Sequence, residues 1–331
     1  MEKKGGNNMI IVTGGAGFVG SNLIKGLNDI GHNDILVVDN IGKTDKFKNL
    51  VSLKIYDYID KVDFIQDIMN GKYENEKIDA VFHIGACSDT MEYDGKYMMD
   101  NNYEYSKTLL HFCLERKVPF IYASSASVYG NGAQGFSEQE ENEDALNVYA
   151  FSKMQFDRYV NQLLPTIDSQ VVGLRYFNVF GPQEVHKGRM ASITYQLYNQ
   201  IVKDGVAKLF AGIDGYEDGE QQRDFIYVKD VVKVNLFFFV HPHKSGVFNC
   251  GTGKARSFND VANSIIKAQG HGRIEYVPFP EGLRGKYQNF TEADTSKLLN
   301  SGYDGDFMEL EDSILDYCKY LNENKGYLCR K

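Results

Sequence analysis

Hydrophobic and polar positions follow two different periods near the start of the chain. Short apolar runs at Ile10–Thr13 and Ile35–Val38 are typical of buried β-strands. Between them, Val19, Leu23 and Leu27 recur at the spacing of one helix face. The pattern therefore predicts a strand, a helix and a second strand, with a glycine-rich turn before the helix.

Apolar strands and helices continue to alternate as far as Gly181. Further strands are predicted at 78–86, 118–130 and 170–181, and helices at 101–115 and 148–164, the second ended by Pro165. Near-continuous apolar strands separated by helices are typical of a parallel sheet covered on both faces. Beyond Gly181 the chain becomes irregular and rich in Gly, Tyr and Phe, which favours a smaller second domain.

The turn between the first strand and the first helix carries three regularly spaced glycines. Gly14, Gly17 and Gly20 have the spacing G-x-x-G-x-x-G. Such glycines permit a tight turn, close approach of the backbone to a pyrophosphate, and close packing of helix on strand. The helix N-terminus then favours the negative charge of the pyrophosphate. The motif predicts a dinucleotide site; the alternative is a β-α-β unit with incidental turn glycines.

Residues after the second strand bear on the choice of cofactor. Asp39 ends that strand 19 residues after Gly20, where a carboxylate binds the adenosine ribose hydroxyls and favours NAD. Asn40, Lys43 and Lys46 follow at once and could instead hold the 2′-phosphate of NADP. These residues are therefore compatible with either NAD or NADP as the cofactor.

These patterns predict an α/β fold, a Rossmann doubly wound parallel sheet with a smaller α/β substrate-binding domain. Segment 223–240 is predicted to be a strand and a helix that return to the first domain. The predicted units are a flexible polar tail at 1–8, a dinucleotide-binding domain at 9–177 plus 224–250, and a substrate-binding domain at 178–223 plus 251–331. Part of the C-terminus is also a candidate for the first domain.

Polar residues occur where the predicted strands end, which is where a doubly wound sheet binds its ligands. Small residues at 85–88 follow one strand, and a serine-rich run at 124–127 follows the next. The following helix presents Tyr149 and Lys153, which at i and i+4 lie within about 6 Å of each other. The alternative interpretation is a packed tyrosine beside a surface lysine.

Composition narrows the class of protein further. A formal net charge of −9 argues against a nucleic-acid binder. Five cysteines without a C-x-x-C spacing fit thiols in a reducing compartment. The apolar run at 234–240 is too short to cross a bilayer, so the expected protein is soluble and cytoplasmic. His241, His243 and His271 lack neighbours at ligand spacing, so no metal site is expected.

Four motifs together resemble the extended short-chain dehydrogenase/reductase family: TGGAGFVG, YASSASVYG, YAFSK and RYFNVFGP. The resemblance implies that Tyr149 is the catalytic acid/base. It implies that Lys153 lowers the pKa of Tyr149 and holds the nicotinamide ribose, and that Ser125 binds the substrate hydroxyl. For a tyrosine to be half ionised at neutral pH, its pKa must fall by roughly 3 units, which corresponds to about 4 kcal/mol. Lys153 and an oxidised nicotinamide could together supply that shift.

The run RYFNVFGPQEVHKGRMAS at 175–192 is similar to one subfamily, the ADP-heptose 6-epimerases. So are the runs at 93–120, 248–262 and 276–294. The resemblance implies inversion at C6″ of an ADP-linked heptose, a lipopolysaccharide inner-core precursor, by transient oxidation to a 6″-ketone. Ala126–Ser127 replaces the Asp-Glu pair typical of the family's dehydratases, which argues against elimination. The alternatives are a UDP-hexose 4-epimerase, a sugar-nucleotide reductase or a non-catalytic dinucleotide sensor.

Inversion also suggests a role for Lys187. The substrate hydroxyl must meet a proton-transfer group in two orientations, and the resemblance implies that Tyr149 and Lys187 are that pair. Lys187 must then be a neutral amine, so we expect burial or nearby cations to lower its pKa. The alternative is a phosphate-binding or surface lysine.

The same resemblance implies the remaining ligand contacts. The cofactor, NADP in most members with NAD possible, is expected to contact Gly14, Gly17, Phe18, Val19, Gly20, Asp39, Asn40, Lys46, Lys61, Gly85, Ala86, Cys87, Ser88, Asn101, Lys153, Val179 and Lys187, with Lys46 on the 2′-phosphate. The substrate is expected to contact Ser125, Asn178, Arg189, Gln196, Phe210, Ala211, Gly212, Ile213, Arg223 and Tyr287, with the arginines on the pyrophosphate.

The resemblance further implies a homo-oligomer, a pentamer in the subfamily. Three places depart from the subfamily pattern. Ile84 stands where the subfamily often has Glu, and Gln196 stands where it often has a His that contacts the substrate. The acidic loop at 214–222 is longer than is usual in the subfamily.

Overall fold

Parallel pairing of buried strands forms the central sheet. The structure is a computed structural model that describes residues 8–42, 44–283 and 288–329. Its strands are β1 (Met9–Thr13), β2 (Ile35–Asp39), β3 (Asp57–Asp60), β4 (Ile78–His83), β5 (Phe120–Ser125), β6 (Val171–Tyr176), β7 (Asn178–Phe180), β8 (Val206–Phe210), β9 (Gln222–Tyr227), β10 (Gly246–Cys250), β11 (Ala255–Ser257) and β12 (Arg273–Val277). Seven of them form one sheet in the order β10-β6-β5-β4-β1-β2-β3.

Helices cover both faces of this sheet. They are α1 (Phe18–Asp29), α2 (Lys61–Met69), α3 (Gly95–Met99), α4 (Tyr105–Glu115), α5 (Val148–Leu163), α6 (Ile193–Asp204), α7 (Val228–Val240), α8 (Phe258–Gln269), α9 (Ser296–Asn300) and α10 (Leu310–Asn324). A π-helical turn at Asp100–Glu104 joins α3 to α4. The expectation of a Rossmann doubly wound parallel sheet is therefore confirmed.

Alternation of side chains along each strand divides the apolar residues between two cores. Ile10 and Val12 of β1 pack with α1 and α7, whereas Ile11 packs with α4 and α5 on the opposite face. All three side chains are almost fully buried. A strand buried on both faces needs apolar residues at successive positions, which is why the sequence of β1 is continuously apolar.

The order of the strands also fixes where a ligand can bind. β1 lies between β2 and β4. From β1 the chain adds β2 and β3 on one side, and it then crosses to the other side of β1 to add β4, β5, β6 and β10. Ligands of open α/β sheets bind in the crevice outside the carboxyl ends of the strands at such a point. Gly14 follows β1 there, and Gly85 lies one residue beyond Ile84 at the end of β4.

The remaining strands form two small sheets beside a separate apolar core. β7, β9 and β11 form one sheet, and β8 pairs with β12. The core beneath them is built by α6, α8 and α10. β9 therefore does not join the central sheet, although α7 packs against α1 beside that sheet. The division of the chain into two domains at the expected boundaries stays a prediction.

Element boundaries differ from the expectations where a local side chain intervenes. The helix expected from residue 101 begins at Gly95, because the Asp94 carboxylate accepts a hydrogen bond from the Tyr97 N–H at 2.9 Å and caps the helix. The strand expected through residue 130 ends at Ser125, whose hydroxyl caps the 3₁₀ turn Ala126–Tyr129. The strand expected at 170–181 divides into β6 and β7, which belong to different sheets.

Two other expectations concern the ends of the chain and its longest helices. Residues 1–7 of the expected tail lie outside the described residues. Within the described residues, no helix combines the length and the apolar character needed to cross a bilayer.

Candidate active site

The glycine turn brings the ends of β1 and β4 into direct contact. Gly14 has φ +67°, a conformation that favours glycine, and a Cβ there would lie 2.6 Å from the Gly85 backbone. A Cβ on Gly20 would lie 2.1 Å from the Gly14 carbonyl oxygen. Gly17 caps α1 without a side-chain hydrogen bond, so free N–H groups of the first turn face the cavity. Glycines at these positions leave room for a diphosphate beside the helix N-terminus.

Asp39 organises the opposite end of this cavity. Its carboxylate accepts hydrogen bonds from the N–H groups of Ala16 at 2.9 Å and Asn40 at 2.6 Å. The Lys46 ammonium donates to the same carboxylate at 2.5 Å. Asp39 is buried, whereas Lys46 is partly exposed. Because Lys46 balances the charge of Asp39, the rim of the cavity can accept either ribose hydroxyls or a phosphate. Lys43 lies outside the described residues.

Ser125, Tyr149 and Lys153 meet where β5 ends and α5 begins. Ser125 and Tyr149 line the same cavity, and Ser125 lies close enough to Tyr149 to lower its pKa. The Lys153 ammonium is buried and donates to the Ala123 carbonyl oxygen at 2.8 Å. Burial lowers the pKa of Lys153 to about 8, and the Asp157 carboxylate opposes that shift. The three side chains form a compact site for proton transfer from a hydroxyl.

The expected effect of Lys153 on Tyr149 stays a prediction. Burial raises the pKa of Tyr149, and the interaction with Ser125 only partly offsets that effect. The protein alone therefore does not ionise Tyr149 at neutral pH. The positive charge of an oxidised nicotinamide would have to supply the difference.

Lys187 enters the same cavity from the segment between β7 and α6. Its ammonium lies 5.4 Å from the centre of the Phe18 ring. Burial lowers the pKa of Lys187, in the expected direction, and the charge of Glu184 opposes that shift. The buried Glu184 carboxylate also accepts hydrogen bonds from the N–H and hydroxyl of Ser192, at 2.6 and 2.7 Å. These contacts fix the segment that presents Lys187 to the cavity.

One cavity of about 410 Å³ holds the residues expected to contact the cofactor. All four residues expected to be catalytic also line it: Ser125, Tyr149, Lys153 and Lys187. Around it stand Gly14, Gly17, Phe18, Val19, Gly20, Asp39, Asn40, Lys46, Lys61, Gly85, Ala86, Cys87, Ser88, Asn101 and Val179. Asn101 lies in the π-helical turn, a feature that often occurs at functional sites.

The residues expected to contact the substrate are more dispersed. Within the described part of the chain, Ser125 is the member of this set that lines the cavity. Arg189 pairs with Asp89 at 3.1 Å, and neither residue lines the cavity. Gln196 donates to the Ala191 carbonyl oxygen at 2.8 Å, and the Arg223 guanidinium stacks 5.6 Å from the Phe258 ring centre.

The other described members of the substrate set lie outside the cavity lining. Asn178 is exposed at the start of β7, and Ala211, Gly212 and Ile213 follow β8, which ends at Phe210. Tyr287 lies outside the described residues. The role of this set stays a prediction.

Several residues that line the cavity were not expected from the sequence. His83, at the end of β4, hydrogen-bonds the Thr13 hydroxyl at 2.7 Å and the Ser106 hydroxyl at 2.8 Å. Burial and the charge of Lys153 lower the pKa of His83 to about 3, so it is neutral. In the sequence, the position of His83 just before the small residues at 85–88 could have indicated that it lies near the cavity. Tyr97, Tyr176, Phe177 and His186 also line the cavity.

A glycine cradle and a Tyr-x-x-x-Lys pair at the ends of parallel strands define a Rossmann-fold enzyme of the short-chain dehydrogenase/reductase type. The chain belongs to the NAD dependent epimerase/dehydratase family, whose model matches residues 10–251. Along its length it is similar to the ADP-L-glycero-D-manno-heptose-6-epimerase of Brachyspira hyodysenteriae. The two are 56% identical over 322 residues, 97% of this chain and 100% of the relative.

Solved structures agree with this assignment. The crystal structure of the ADP-L-glycero-D-manno-heptose-6-epimerase of Helicobacter pylori is 33% identical, with a TM-score of 0.81 over 96% of this chain and 97% of that one. The UDP-N-acetylglucosamine 4-epimerase of Methanobrevibacter ruminantium is 26% identical, with a TM-score of 0.81 over 96% and 98% of the two chains.

Proposed function

We propose that this protein inverts C6″ of ADP-D-glycero-D-manno-heptose to give ADP-L-glycero-D-manno-heptose, a precursor of the lipopolysaccharide inner core. The observation that carries the proposal is that Tyr149 and Lys187 line one cavity from different elements. Two proton-transfer groups suit inversion, whereas simple oxidation needs one. The 56% identical relative, named as an epimerase of this heptose, supports the choice of substrate.

The proposed chemistry assigns separate tasks to the residues of the cavity. A bound nicotinamide cofactor would accept a hydride from C6″ and return it to the opposite face of the same carbon. Ser125 orients the C6″ hydroxyl toward Tyr149. One of Tyr149 and Lys187 accepts the hydroxyl proton on oxidation, and the other donates a proton to the oxygen on reduction. Lys153 holds the ribose next to the nicotinamide and favours the phenolate of Tyr149.

The charge states of the two groups fit this division. Lys187 has to be neutral to accept a proton, and its burial beside Phe18 favours the neutral amine. Glu184 keeps the amine basic enough to take the proton, because its charge opposes the effect of burial. Tyr149 is protonated before the cofactor binds, since burial disfavours the phenolate.

For the cofactor we propose NADP, held tightly through repeated turnovers. The glycine cradle fits the diphosphate, and Lys46 beside Asp39 offers a cation for the 2′-phosphate. Lys61 donates to the Asn101 side chain at the cavity wall, so both are held in place beside the cofactor. Mass spectrometry of the cofactor released on denaturing purified protein tests this proposal. NAD as the released species would contradict it.

The family resemblance leads us to propose a cytoplasmic homo-oligomer as well, a pentamer. Light scattering of the purified protein coupled to size-exclusion chromatography gives the molar mass directly. A mass of one chain at micromolar concentration would contradict the oligomer.

An NMR assay tests the function itself. Purified protein is mixed with ADP-D-glycero-D-manno-heptose without added cofactor, and the configuration at C6″ is followed with time. We expect a mixture of the two epimers and no net change in cofactor redox state. No inversion by protein that contains cofactor would contradict the proposal. Activity on UDP-sugars, or steady consumption of NADPH, would favour a UDP-hexose 4-epimerase or a reductase instead.

Changing Lys187 to Met should strongly slow inversion while leaving half of the chemistry intact. We expect the inversion rate to fall about 10²–10⁴-fold, the usual contribution of one general acid or base. Because Tyr149 remains, one of the two epimers should still reduce the bound cofactor transiently, seen as absorbance near 340 nm in a stopped-flow experiment. Lys203→Met, on the exposed side of α6, is the matched control. Inversion near the wild-type rate would exclude Lys187 as a proton-transfer group.

A further inference from the structure

His186 lies in the cavity next to Lys187, yet the chemistry proposed above gives it no task. It belongs to the 3₁₀ segment Val185–Met190 and is partly buried. Its ring lines the same cavity as Asp39 and Lys46, at the end where the adenosine ribose would bind. A polar ring in this position faces whatever group the cofactor carries on that ribose.

The two ring nitrogens of His186 have different surroundings. Nδ1 lies 3.2 Å from the Asn49 side-chain nitrogen, which also donates to the carbonyl oxygens of Ala16 at 2.9 Å and Gln183 at 3.0 Å. The ring also interacts with the Gln183 carbonyl oxygen, whose hydrogen bond raises its pKa. Because Nδ1 faces Asn49, Nε2 is the nitrogen that we assign to a ligand.

The contacts around Asn49 join three parts of the site. Asn49 lies three residues after Lys46 in the 3₁₀ segment Asp45–Leu50. Its side chain binds the glycine turn at Ala16, and its carbonyl oxygen accepts a hydrogen bond from the Gln183 side chain at 2.8 Å. Gln183 is buried with φ +77°, a strained conformation for a side-chain-bearing residue. These contacts through Asn49 and Gln183 hold the segment of His186 close to the segment of Lys46.

The charges near the ring suit an anionic ligand. Burial, with the positive charges of Lys46 and Lys187, lowers the pKa of His186 to about 4, so the ring is neutral without a ligand. The Gln183 carbonyl and the charge of Asp39 oppose that shift. A phosphate beside Lys46 would add two negative charges at this point and favour the imidazolium.

We propose that His186 is a specificity-determining residue, whose Nε2 binds the 2′-phosphate of the cofactor's adenosine ribose together with Lys46. The inference rests on the proposed use of NADP. It adds a second donor to the phosphate site and places that donor next to Lys187, the residue that transfers the proton. The 2′-phosphate thus contacts the segment that carries part of the catalytic machinery.

Histidine NMR tests the contact without measuring turnover. The chain has seven histidines, and comparison with His186→Asn identifies the signals of His186. Intact protein is loaded with NADP or with NAD, and the ring is titrated from pH 8 to pH 5. With NADP we expect the pKa of His186 to rise above 6, whereas with NAD the ring should stay neutral. Equal titration with both cofactors would overturn the inference, since only NADP carries the 2′-phosphate.

Cofactor affinity provides the second readout. His186→Asn should reduce the ratio of NADP to NAD affinity by about tenfold or more, the effect of losing one hydrogen bond to a charged group. His271→Asn, in an exposed turn, is the matched control. If the wild-type protein prefers NADP and His186→Asn keeps that preference, the role of His186 is contradicted but the proposed use of NADP is not. If the wild-type protein shows no preference, the proposed cofactor fails as well.

Discussion

Replacing Tyr149 with Phe should reduce the rate of C6″ inversion by about 10²–10⁴-fold while the protein keeps its cofactor. The phenol lies close enough to Ser125, the residue that orients the hydroxyl in the proposed chemistry, for Ser125 to lower its pKa. Phe fills nearly the same volume, so the start of α5 and the position of Lys153 should not change. The two epimers in a timed NMR assay, and the mass of the released cofactor, are the measurements.

The pH dependence of the wild-type enzyme provides a further part of this test. Burial raises the pKa of Tyr149, so turnover limited by its phenolate should increase as the pH rises through that pKa. Tyr149→Phe lacks the ionisable phenol, so the turnover of this variant should not show that increase with pH. Tyr93→Phe, at a position 78% exposed, is the matched control and should change neither rate nor profile. A loss of less than tenfold in Tyr149→Phe would mean that another group is the principal acid or base.

The sequence was sufficient for the part of the site built by local geometry. Gly20 is required by its close contact with the Gly14 backbone inside the turn, so the glycine spacing locates the turn, whereas the contact of Gly14 with Gly85 joins distant segments. Tyr149 and Lys153 share one helix face, which the i and i+4 spacing determines. In both cases the residues that create the feature are near each other in the chain.

The features that the sequence did not reveal depend on contacts between distant segments. The run at 170–181 is apolar throughout, and nothing in its period tells that Phe177 marks a change from one sheet to another. The hydrogen bond from Lys153 to Ala123 spans 30 positions. Asn49 reaches Gln183 across 134 positions, so the place of His186 beside Lys46 required the folded chain.

A second feature of this kind is a buried charge network behind the catalytic strands. Arg175 of β6 is fully buried, and its Nε donates to the Asp157 carboxylate at 2.8 Å. Its other nitrogens donate to the Glu143 carboxylate and, at 3.0 Å, to the Tyr129 hydroxyl. The Ser124 hydroxyl, beside Ser125, donates to Asp157 at 2.8 Å. Arg175 therefore pairs with two buried carboxylates, and Glu143 has a second cationic partner in Arg158, whose Nε donates to it at 2.8 Å.

Arg175→Met should lower the free energy of unfolding by about 3–5 kcal/mol, the cost of leaving buried charge without a partner. Met has a similar length and no charge, so the loss comes mainly from Asp157, because Glu143 keeps its pair with Arg158. Urea unfolding followed by circular dichroism measures the effect. Arg189→Met is the matched control, because its pair with Asp89 is 74% and 37% exposed and should contribute about 1 kcal/mol or less.

A double variant separates charge from packing as the cause of that loss. Adding Asp157→Asn to Arg175→Met removes the carboxylate that has lost its cationic partner and keeps the size of the side chain. If uncompensated charge is the cause, the double variant should be more stable than Arg175→Met, although each substitution alone is destabilising. If the losses simply add, the guanidinium acts through its packing against the Tyr129 ring, 5.0 Å from the ring centre, and not through its charge.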